Sequence, residues 1–328
     1  MSIAKAIVIG SLSLFVAIGA FTLVNKSKDK EAAAVEITAK IEQPTEEPAV
    51  AIKEQYLKPV RDEVADREED RVWQLFTTGR QKLPIVETIR YKARVSWLQG
   101  RSAWLTDYAS HYATSRHFIA RSLNGKKDYQ TQKITPGDRF NVLKKDVSFY
   151  LVVDLSRCKM WFYGVDESSR ERVLLKTYNV GVGRFDRDSY SGLLTPRGKF
   201  SLGSKVAIYR PGMEGYFQGT EVEMVRVFGT RWIPFAEAIG GEGDNPRGYG
   251  FHGAPWIYDL ATETYKEDLA TIGSYDSDGC IRLAQNDMEE LYSIVITKPT
   301  VVEIVNDFHD AELPGESVEK SGKKDVRS

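Results

Sequence analysis

One cysteine segment of this 328-residue chain has neighbours that suit nucleophilic attack. Cys280 follows a glycine in the run Ser277-Asp278-Gly279-Cys280-Ile281-Arg282-Leu283. Glycine lets a substrate carbonyl approach the thiol, and nearby backbone N–H groups could form an oxyanion hole. The thiolate is the reactive form of cysteine, so a partner must take its proton. The run therefore predicts a nucleophile that needs a base.

His252 is the base that the sequence offers. Of the four histidines, His111 and His117 lie in a small unit before the cysteine region, and His309 lies where a charged tail begins. His252 lies in Tyr249-Gly250-Phe251-His252-Gly253, within the strand-rich region that also holds the cysteine. A lone histidine or cysteine is more often structural than catalytic. Their joint occurrence in one region, each beside glycines, favours a catalytic pair.

The region that must position these two residues is predicted to be a mainly-β, sandwich-like domain over residues 146–307. Its apolar segments are short and separated by glycines and prolines, which is typical of strands joined by turns. One helix is predicted after the cysteine, from Asn286 to Val295, with Asn286 or Asp287 capping its first turn. Thr300–Val305 is predicted to be the closing strand.

A smaller unit over residues 88–144 precedes this domain and has the predicted order β-α-α-β. Alternating apolar residues over 91–95 predict a strand, and helical spacing predicts helices around 104–109 and 118–123. Arg139–Leu143 is predicted to be the second strand. The whole chain is thus predicted to be a multidomain α+β protein.

The N-terminus carries an unbroken apolar run, residues 6–24, that is long enough to span a membrane. Residues 1–25 are therefore predicted to be a transmembrane helix that anchors the chain, or a removed signal segment. A flexible polar linker is predicted over 26–54 and a helical connector over 55–87. Residues 308–328 lack apolar periodicity and are predicted to be a disordered tail.

Charge and cysteine content exclude several classes of function. The formal net charge of −1 provides no field that would draw the chain to nucleic acid. Two cysteines cannot build a disulfide framework, and their spacing is not that of a zinc site. Cys158 alternates with Met160 and Phe162 on the apolar face of a strand, so we expect a buried thiol that does not pair with Cys280.

Residues 147–305 resemble the catalytic domain of L,D-transpeptidases of the YkuD type. The matching motifs are His252-Gly253, the run Ser277-x-Gly279-Cys280-Ile281-Arg282, and the turn Thr195-Pro196-Arg197-Gly198-Lys199-Phe200. Val153-Asp154-Leu155-Ser156 resembles the first strand of that family. Because several motifs occur in the order of the family, the resemblance is specific.

The resemblance implies acyl transfer on peptidoglycan, with Cys280 as the nucleophile and His252 as the base. Cys280 would attack the carbonyl of the third residue of a stem tetrapeptide, D-alanine would leave, and an amine or water would resolve the thioester. The Gly253 carbonyl is expected to orient the imidazole, and the amides of Gly279 and Cys280 are expected to hold the oxyanion.

The remaining residues of the predicted site lie beside these. Arg282 would bind a substrate carboxylate or form a structural salt bridge. Trp232 and Tyr249 would line the cleft, and Ser277 and Asp278 flank the thiol. No metal or organic cofactor is implied. The acceptor amine stays open, and so do two alternatives: an L,D-carboxypeptidase that trims stem peptides, and a non-catalytic protein that binds the wall.

Two departures from the family pattern matter. Asp278 stands where the family usually has a second histidine, and its charge would raise the pKa of the thiol, which Arg282 would offset. The separation between His252 and Cys280 is also about twice what the family usually has. The extra segment, Ile257–Ile272, is predicted to be an inserted loop or short helix at the rim of the site.

Residues 88–144 resemble the LysM module. The residues that carry this resemblance are Gly100 and Trp104 at the first helix, Leu123-Asn124-Gly125 after the second, and Pro136-Gly137-Asp138 before the last strand. The resemblance implies binding to glycan strands that contain N-acetylglucosamine. The alternative is a packing domain that binds nothing.

The two resemblances together imply a location. Peptidoglycan lies outside the cytoplasmic membrane, so a single-pass inner-membrane protein with its catalytic part on the periplasmic or wall side is expected. Lys26, Lys28 and Lys30 outnumber Lys5, which by the positive-inside rule alone would favour the opposite orientation.

Overall fold

The computed structural model describes residue 65 and residues 67–124, 133–189 and 191–317. The predicted membrane segment, the linker and the first part of the helical connector lie outside these ranges, as do residues 318–328. Within the described ranges, no helix is long and apolar enough to cross a membrane.

The small unit has the predicted order β-α-α-β. A short helix, α1 (Trp73–Phe76), precedes the unit. Its elements in chain order are β1 (Val86–Arg90), α2 (Leu105–His111), α3 (Arg116–Asn124) and β2 (Arg139–Leu143). β1 and β2 pair antiparallel over their full lengths. Tyr108, Ile119 and Phe140 are buried in one apolar cluster, so burial of apolar surface holds the unit together.

The first strand of this unit differs from its prediction. It is Val86–Arg90, whereas the alternating pattern placed it at residues 91–95. Tyr91 is buried, and its hydroxyl donates to the Ala103 carbonyl at 2.7 Å. The alternation therefore reflects inward packing of a loop and not pairing with a neighbouring strand.

The predicted helical connector is also wrong over most of its described part, where α1 is the only helix. Residues 69–71 instead hydrogen-bond to an edge of the main sheet. The Arg71 amide donates to the Leu175 carbonyl at 2.6 Å, and the Thr177 amide donates to the Glu69 carbonyl at 3.0 Å. Backbone pairing with an open strand edge outweighs the weak helical pattern here.

The larger domain consists mainly of strands. Its elements in chain order are β3 (Val147–Asp154), β4 (Lys159–Asp166), β5 (Glu171–Asn179), β6 (Val182–Gly183), β7 (Gly198–Leu202), β8 (Ala207–Ile208), β9 (Glu214–Phe217), β10 (Thr220–Glu223), α4 (Val225–Phe228), β11 (Arg231–Gly243), β12 (Gly250–Gly253), β13 (Trp256–Asp259), β14 (Thr264–Glu267), β15 (Tyr275–Ser277), β16 (Ile281–Leu283), α5 (Gln285–Val295), β17 (Thr300–Val305) and β18 (Glu316–Ser317). Two 3₁₀ turns, Leu269–Thr271 and Phe308–Asp310, complete it.

Ten of these strands form one curled sheet, and the predicted sandwich of two packed sheets is not observed. β9 pairs with β10, β13 with β14 and β6 with β15 in separate two-stranded sheets. The order of the curled sheet is β16-β12-β11-β7-β17-β3-β4-β5-β18, with β8 paired to β11. β3 and β17 are parallel neighbours near its middle. The main core contains apolar side chains from both ends of this order, such as Phe162 of β4 and Ile281 of β16. Curling of a single sheet therefore encloses the core that a sandwich would enclose with two.

The helix predicted after the cysteine is confirmed as α5, and its buried residues include Met288, Leu291 and Val295. The predicted side-chain cap at Asn286 or Asp287 is wrong, because the N-cap is Ala284, which makes no side-chain cap hydrogen bond. The Gln285 amide donates instead to the Glu267 carboxylate of β14 at 2.7 Å. A carboxylate from another element thus performs the capping. The closing strand Thr300–Val305 is confirmed as β17.

The disordered tail predicted from residue 308 is wrong for residues 308–317. Phe308 is buried, and its ring centroid lies 4.4 Å from that of Trp161 on β4. β18 pairs in parallel with β5. Lys159 and Trp161 lie on the face of β4 that points away from the main core, and both are buried. The C-terminal segment therefore helps to cover this second face of β4.

Cys158 is confirmed as a buried thiol that is not bonded to Cys280. It lies in the turn before β4 with a φ of 48°, so the turn and not strand alternation buries it. Burial raises the pKa of this thiol to about 11. Cys158 therefore behaves as a small hydrophobic residue.

The contact made by Phe308 gives a test of the ordered C-terminal segment. Phe308→Ala should lower the free energy of unfolding by about 3 kcal/mol, since it removes a buried ring from the Trp161 face. The matched control is Leu260→Ala, whose side chain is 85% exposed and which should change stability by less than about 0.5 kcal/mol. Guanidinium unfolding curves measure both, and equal midpoints for the two variants would contradict the packing.

Candidate active site

Cys280 lies at the tight turn between β15 and β16. Gly279, just before it, has a φ of +111°, and a Cβ there would lie 2.3 Å from the Tyr249 ring and 2.6 Å from the Leu194 carbonyl oxygen. Only glycine fits such a backbone and such a space. The turn leaves the Cys280 side chain half-buried, with Sγ 3.9 Å from the Gly248 carbonyl oxygen.

Ser277 holds this turn from beneath. Its buried hydroxyl accepts from the Gly279 amide at 3.1 Å and donates to the Cys280 carbonyl at 2.6 Å. The Gly279 amide, predicted to hold an oxyanion, is thus already engaged with Ser277. These contacts give Ser277 a positioning role in the turn that carries Cys280.

The turn Thr195-Pro196 supports the cysteine from a second side. Thr195 is fully buried, and its hydroxyl accepts from the Gly183 amide at 2.7 Å. A Cβ at Gly183 would lie 3.1 Å from the Gly279 Cα, so the two backbones are in close contact. The motif that resembles the family's upstream turn therefore acts through packing and makes no contact with the thiol.

His252 lies on β12, which pairs in parallel with β16 so that His252 is opposite Arg282. Phe251 points into the core, and alternation directs His252 to the other face. Its Nδ1 lies 2.7 Å from the Gly253 carbonyl oxygen. Because a carbonyl oxygen only accepts, Nδ1 carries the proton and Nε2 has the free lone pair. The orienting contact predicted for Gly253 is present.

Two aromatic rings pack against the imidazole. The Phe228 ring meets it edge-on at a centroid distance of 5.4 Å, and Trp232 lies at 6.1 Å. Sequence reasoning found Trp232 and missed Phe228. The available signal was Gly229, which follows α4 with a φ of 59° and where a Cβ would lie 2.7 Å from the Gly253 Cα. That close approach fixes α4 against the end of β12.

Burial keeps both candidate reactive groups neutral. Desolvation raises the pKa of Cys280 to about 11, and the Asp278 charge adds to this while Arg282 opposes it. Desolvation lowers the pKa of His252 to about 4, against the opposing hydrogen bond to Gly253. At pH 7 the pair is therefore a thiol beside a neutral imidazole.

Both charged residues of the cysteine run, Asp278 and Arg282, form ion pairs with residues outside it. The Arg282 guanidinium lies 2.8 Å from the Asp276 carboxylate. Asp278 forms an exposed ion pair with Arg184. Of the two roles predicted for Arg282, the structural salt bridge is the one observed. Asp278 thus has a cationic partner in Arg184, although its charge still contributes to the raised pKa of Cys280.

A cleft of about 550 Å³ joins these groups. Seven of its lining residues were predicted from sequence: Trp232, Tyr249, His252, Ser277, Asp278, Cys280 and Arg282. Gly253 and Gly279 support it from behind. Eight lining residues were missed, all from segments without a chemical motif: Phe217, Gln218, Arg226, Val227, Phe228, Arg247, Gly248 and Pro255.

The inserted segment near the cleft is a β-hairpin, and the predicted loop or short helix is wrong for its first part. β13 and β14 pair from Trp256 opposite Glu267 to Asp259 opposite Thr264. Only residues 269–271 form a helical turn. The rings of Tyr258 and Tyr265 contact each other at a centroid distance of 5.3 Å across the hairpin. Cross-strand aromatic pairing thus sets its structure.

Comparison with known proteins places the domain in a family. Residues 148–304 match the model of the YkuD family, the L,D-transpeptidase catalytic domain. That part of the chain is a YkuD catalytic domain, and the family is one of cysteine-dependent enzymes. The resemblance predicted for residues 147–305 is confirmed. The match does not reach residues 88–144, whose LysM-like character stays a prediction.

Solved structures are similar to the chain over about half of its length, and no curated protein sequence matches it. The helical cell shape determining protein Pgp2 from Campylobacter jejuni is 16% identical over 52% of this chain and 51% of that one, with a TM-score of 0.33. Bd1075 from Bdellovibrio bacteriovorus is 12% identical over 54% of each chain, also with a TM-score of 0.33. The chain spans about half the length of each, and no activity is inferred from likeness at this level.

The neutral thiol gives a pH prediction. In a Cys158→Ala variant Cys280 is the only cysteine, so iodoacetamide alkylation reports its thiolate fraction alone. Because burial raises the pKa to about 11, the alkylation rate should still increase above pH 9. A free cysteine peptide, with a pKa of about 8.5, serves as the control. A rate for the protein that is already constant at pH 8 would show a preformed thiolate and contradict this electrostatic description.

Proposed function

We propose that the YkuD catalytic domain at residues 148–304 is a peptidoglycan L,D-transpeptidase in which Cys280 is the nucleophile and His252 the general base. One observation carries the proposal. A half-buried thiol and an imidazole oriented by Gly253 line one cleft, with His252 on β12 and Cys280 directly before the parallel neighbour β16. This is the arrangement that acyl transfer through a cysteine requires.

The first half-reaction forms a thioester. His252 Nε2 takes the Cys280 proton as Sγ bonds to the carbonyl carbon of the third stem residue. The resulting imidazolium gives that proton to the nitrogen of the departing D-alanine as its C–N bond breaks. Desolvation shifts the pKa of each group toward its neutral form, which favours proton transfer during the attack over an ion pair formed beforehand.

The second half-reaction releases the acyl group. An acceptor amine attacks the thioester, gives its proton to His252, and leaves an amide while the Cys280 thiol is restored. A second stem peptide as acceptor produces a cross-link, and water in the same place produces a trimmed tripeptide. The aromatic wall of Phe228 and Trp232 beside the imidazole supports the first outcome, because it keeps apolar surface where water would approach.

The assignment of the pair is tested by acylation. With a purified stem tetrapeptide, wild type should form a covalent adduct at Cys280 that mass spectrometry detects, and Cys280→Ala should form none. His252→Gln should slow adduct formation about 100-fold or more, since general-base catalysis is lost. Cys158→Ala is the matched control and should acylate like wild type, because its thiol is buried and unreactive.

The products of the same incubation decide among the candidate functions. Cross-linked dimers support the transpeptidase. Tripeptide with D-alanine and no dimer would replace it with an L,D-carboxypeptidase. Absence of both adduct and product in wild type would leave a non-catalytic wall-binding protein.

We also propose that residues 88–144 bind glycan strands, which would hold the substrate near the cleft. The support is an exposed aromatic surface. Trp104 is 65% exposed with the Arg101 guanidinium 5.0 Å from its ring centroid. Trp97 stacks on His111 at 4.2 Å. Trp97 is partly buried, so Trp104 is the exposed ring that offers a flat apolar face to sugars. The substrate also places the catalytic part, in this proposal, on the periplasmic or wall side of a membrane spanned by residues 6–24.

Glycan binding is tested by co-sedimentation with insoluble peptidoglycan. Trp104→Ala should lower the bound fraction of the full chain several-fold. The matched control is Trp73→Ala, which removes a 49% exposed tryptophan outside the unit and should leave the bound fraction unchanged. Equal binding by both variants would contradict a role for Trp104.

A further inference from the structure

The cleft carries two arginines for which the described part of the chain offers no carboxylate partner. Of its charged lining residues, Arg282 is paired with Asp276 and Asp278 with Arg184. Arg226 and Arg247 also line the cleft and are exposed, and neither guanidinium has a carboxylate partner among the described residues. Two arginines without partners in a concave site favour an anionic ligand.

The two arginines stand on different walls. Arg247 directly precedes Gly248, whose carbonyl oxygen is 3.9 Å from Cys280 Sγ. Arg226 belongs to α4, the helix that also carries Phe228, and Phe228 packs edge-on against the His252 ring. Arg247 therefore belongs to the wall beside the nucleophile, and Arg226 to the wall beside the base.

The inserted hairpin supports Arg226. The Arg226 guanidinium lies 5.8 Å from the ring centroid of Tyr265 on β14, within the range of a cation–π contact. Tyr265 is in turn held by the ring of Tyr258 on the paired strand. The extra segment of this chain thus gives Arg226 an aromatic platform at the mouth of the cleft.

The direction of proton transfer in acyl transfer determines which part of the substrate lies against each wall of the cleft. The base must give its proton to the nitrogen of the leaving group, so the leaving residue lies on the His252 side. In a stem tetrapeptide that residue is the last one and ends in a free carboxylate. In a longer stem the same position carries a neutral amide.

We infer that Arg226 is a specificity-determining residue that binds the C-terminal carboxylate of the leaving residue, and that Tyr265 is the residue that positions it. The inference rests on the proposed function. A guanidinium binds a carboxylate through two parallel hydrogen bonds, which a neutral amide cannot accept. Arg226 therefore selects acyl donors that end one residue beyond the attacked carbonyl.

The test compares a stem tetrapeptide with its C-terminal amide. Wild type should prefer the free acid by about tenfold to a hundredfold in kcat/KM of acylation, the range for a hydrogen bond to a charged group. Arg226→Gln should raise KM for the acid by that factor, leave kcat nearly unchanged and leave the amide unaffected. Tyr265→Phe keeps the ring and should retain the preference, whereas Tyr265→Ala should lose part of it.

Arg247→Gln is the matched control, because it removes the same charge from the opposite wall. It should change the values for acid and amide by the same factor. The inference is overturned if Arg226→Gln also changes both peptides by one factor, or changes neither.

Calorimetric binding to Cys280→Ala separates this inference from the proposed function, since binding needs no turnover. Preference for the acid that disappears with Arg226→Gln supports the assignment of Arg226. Equal binding of acid and amide overturns it. Failure of the proposed function would instead appear as wild type that forms no adduct with either peptide.

Discussion

The parallel pairing of β12 with β16 is the interaction on which the site depends. It sets His252 opposite Arg282. Cys280 lies two residues before Arg282 in the chain, and so it lies on the same face of the sheet as His252. β15, the strand directly before the cysteine turn, also has a parallel partner, which is β6. Parallel neighbours cannot be joined by a tight hairpin, which is why a long segment connects the base to the nucleophile.

Close contacts between glycine backbones pack α4 against the end of β12 and β6 against the cysteine turn. Gly229 touches Gly253, and Gly183 touches Gly279, at distances that leave no room for a Cβ. The contacts leave His252 buried and Cys280 half-buried. The resulting desolvation moves the pKa of each group toward its neutral form. Packing density and acid–base state therefore have one cause in this site.

The reactive pair could be predicted from sequence because each member is marked by its own local motif. Glycines flank Cys280 and His252, and Ser277 and Gly253 adjoin them. Phe228 and Arg226 could not be found in this way. They belong to a four-residue helix, and only the fold of the curled sheet brings that helix to the cleft.

Other elements escaped prediction because backbone pairing decides them. Residues 69–71 bind along β5 through main-chain hydrogen bonds that no apolar pattern announces. β18 occupies another part of the same edge. The two helices of the small unit and α5 were predictable, since they depend on the helical spacing of buried side chains. Composition near residue 308 suggested disorder, yet the buried Phe308 ring and the pairing of β18 with β5 hold the segment in place.

The small unit and the curled sheet share one apolar core. Val86, Phe118 and Leu143 belong to the same buried cluster as the strands of the catalytic domain. The Lys298 ammonium group donates to the Lys144 carbonyl at 2.7 Å in the short connection between the two. Loosening either part therefore exposes apolar surface of the other, so the two are expected to melt in one cooperative transition. Limited proteolysis is therefore not expected to release either part as a folded fragment.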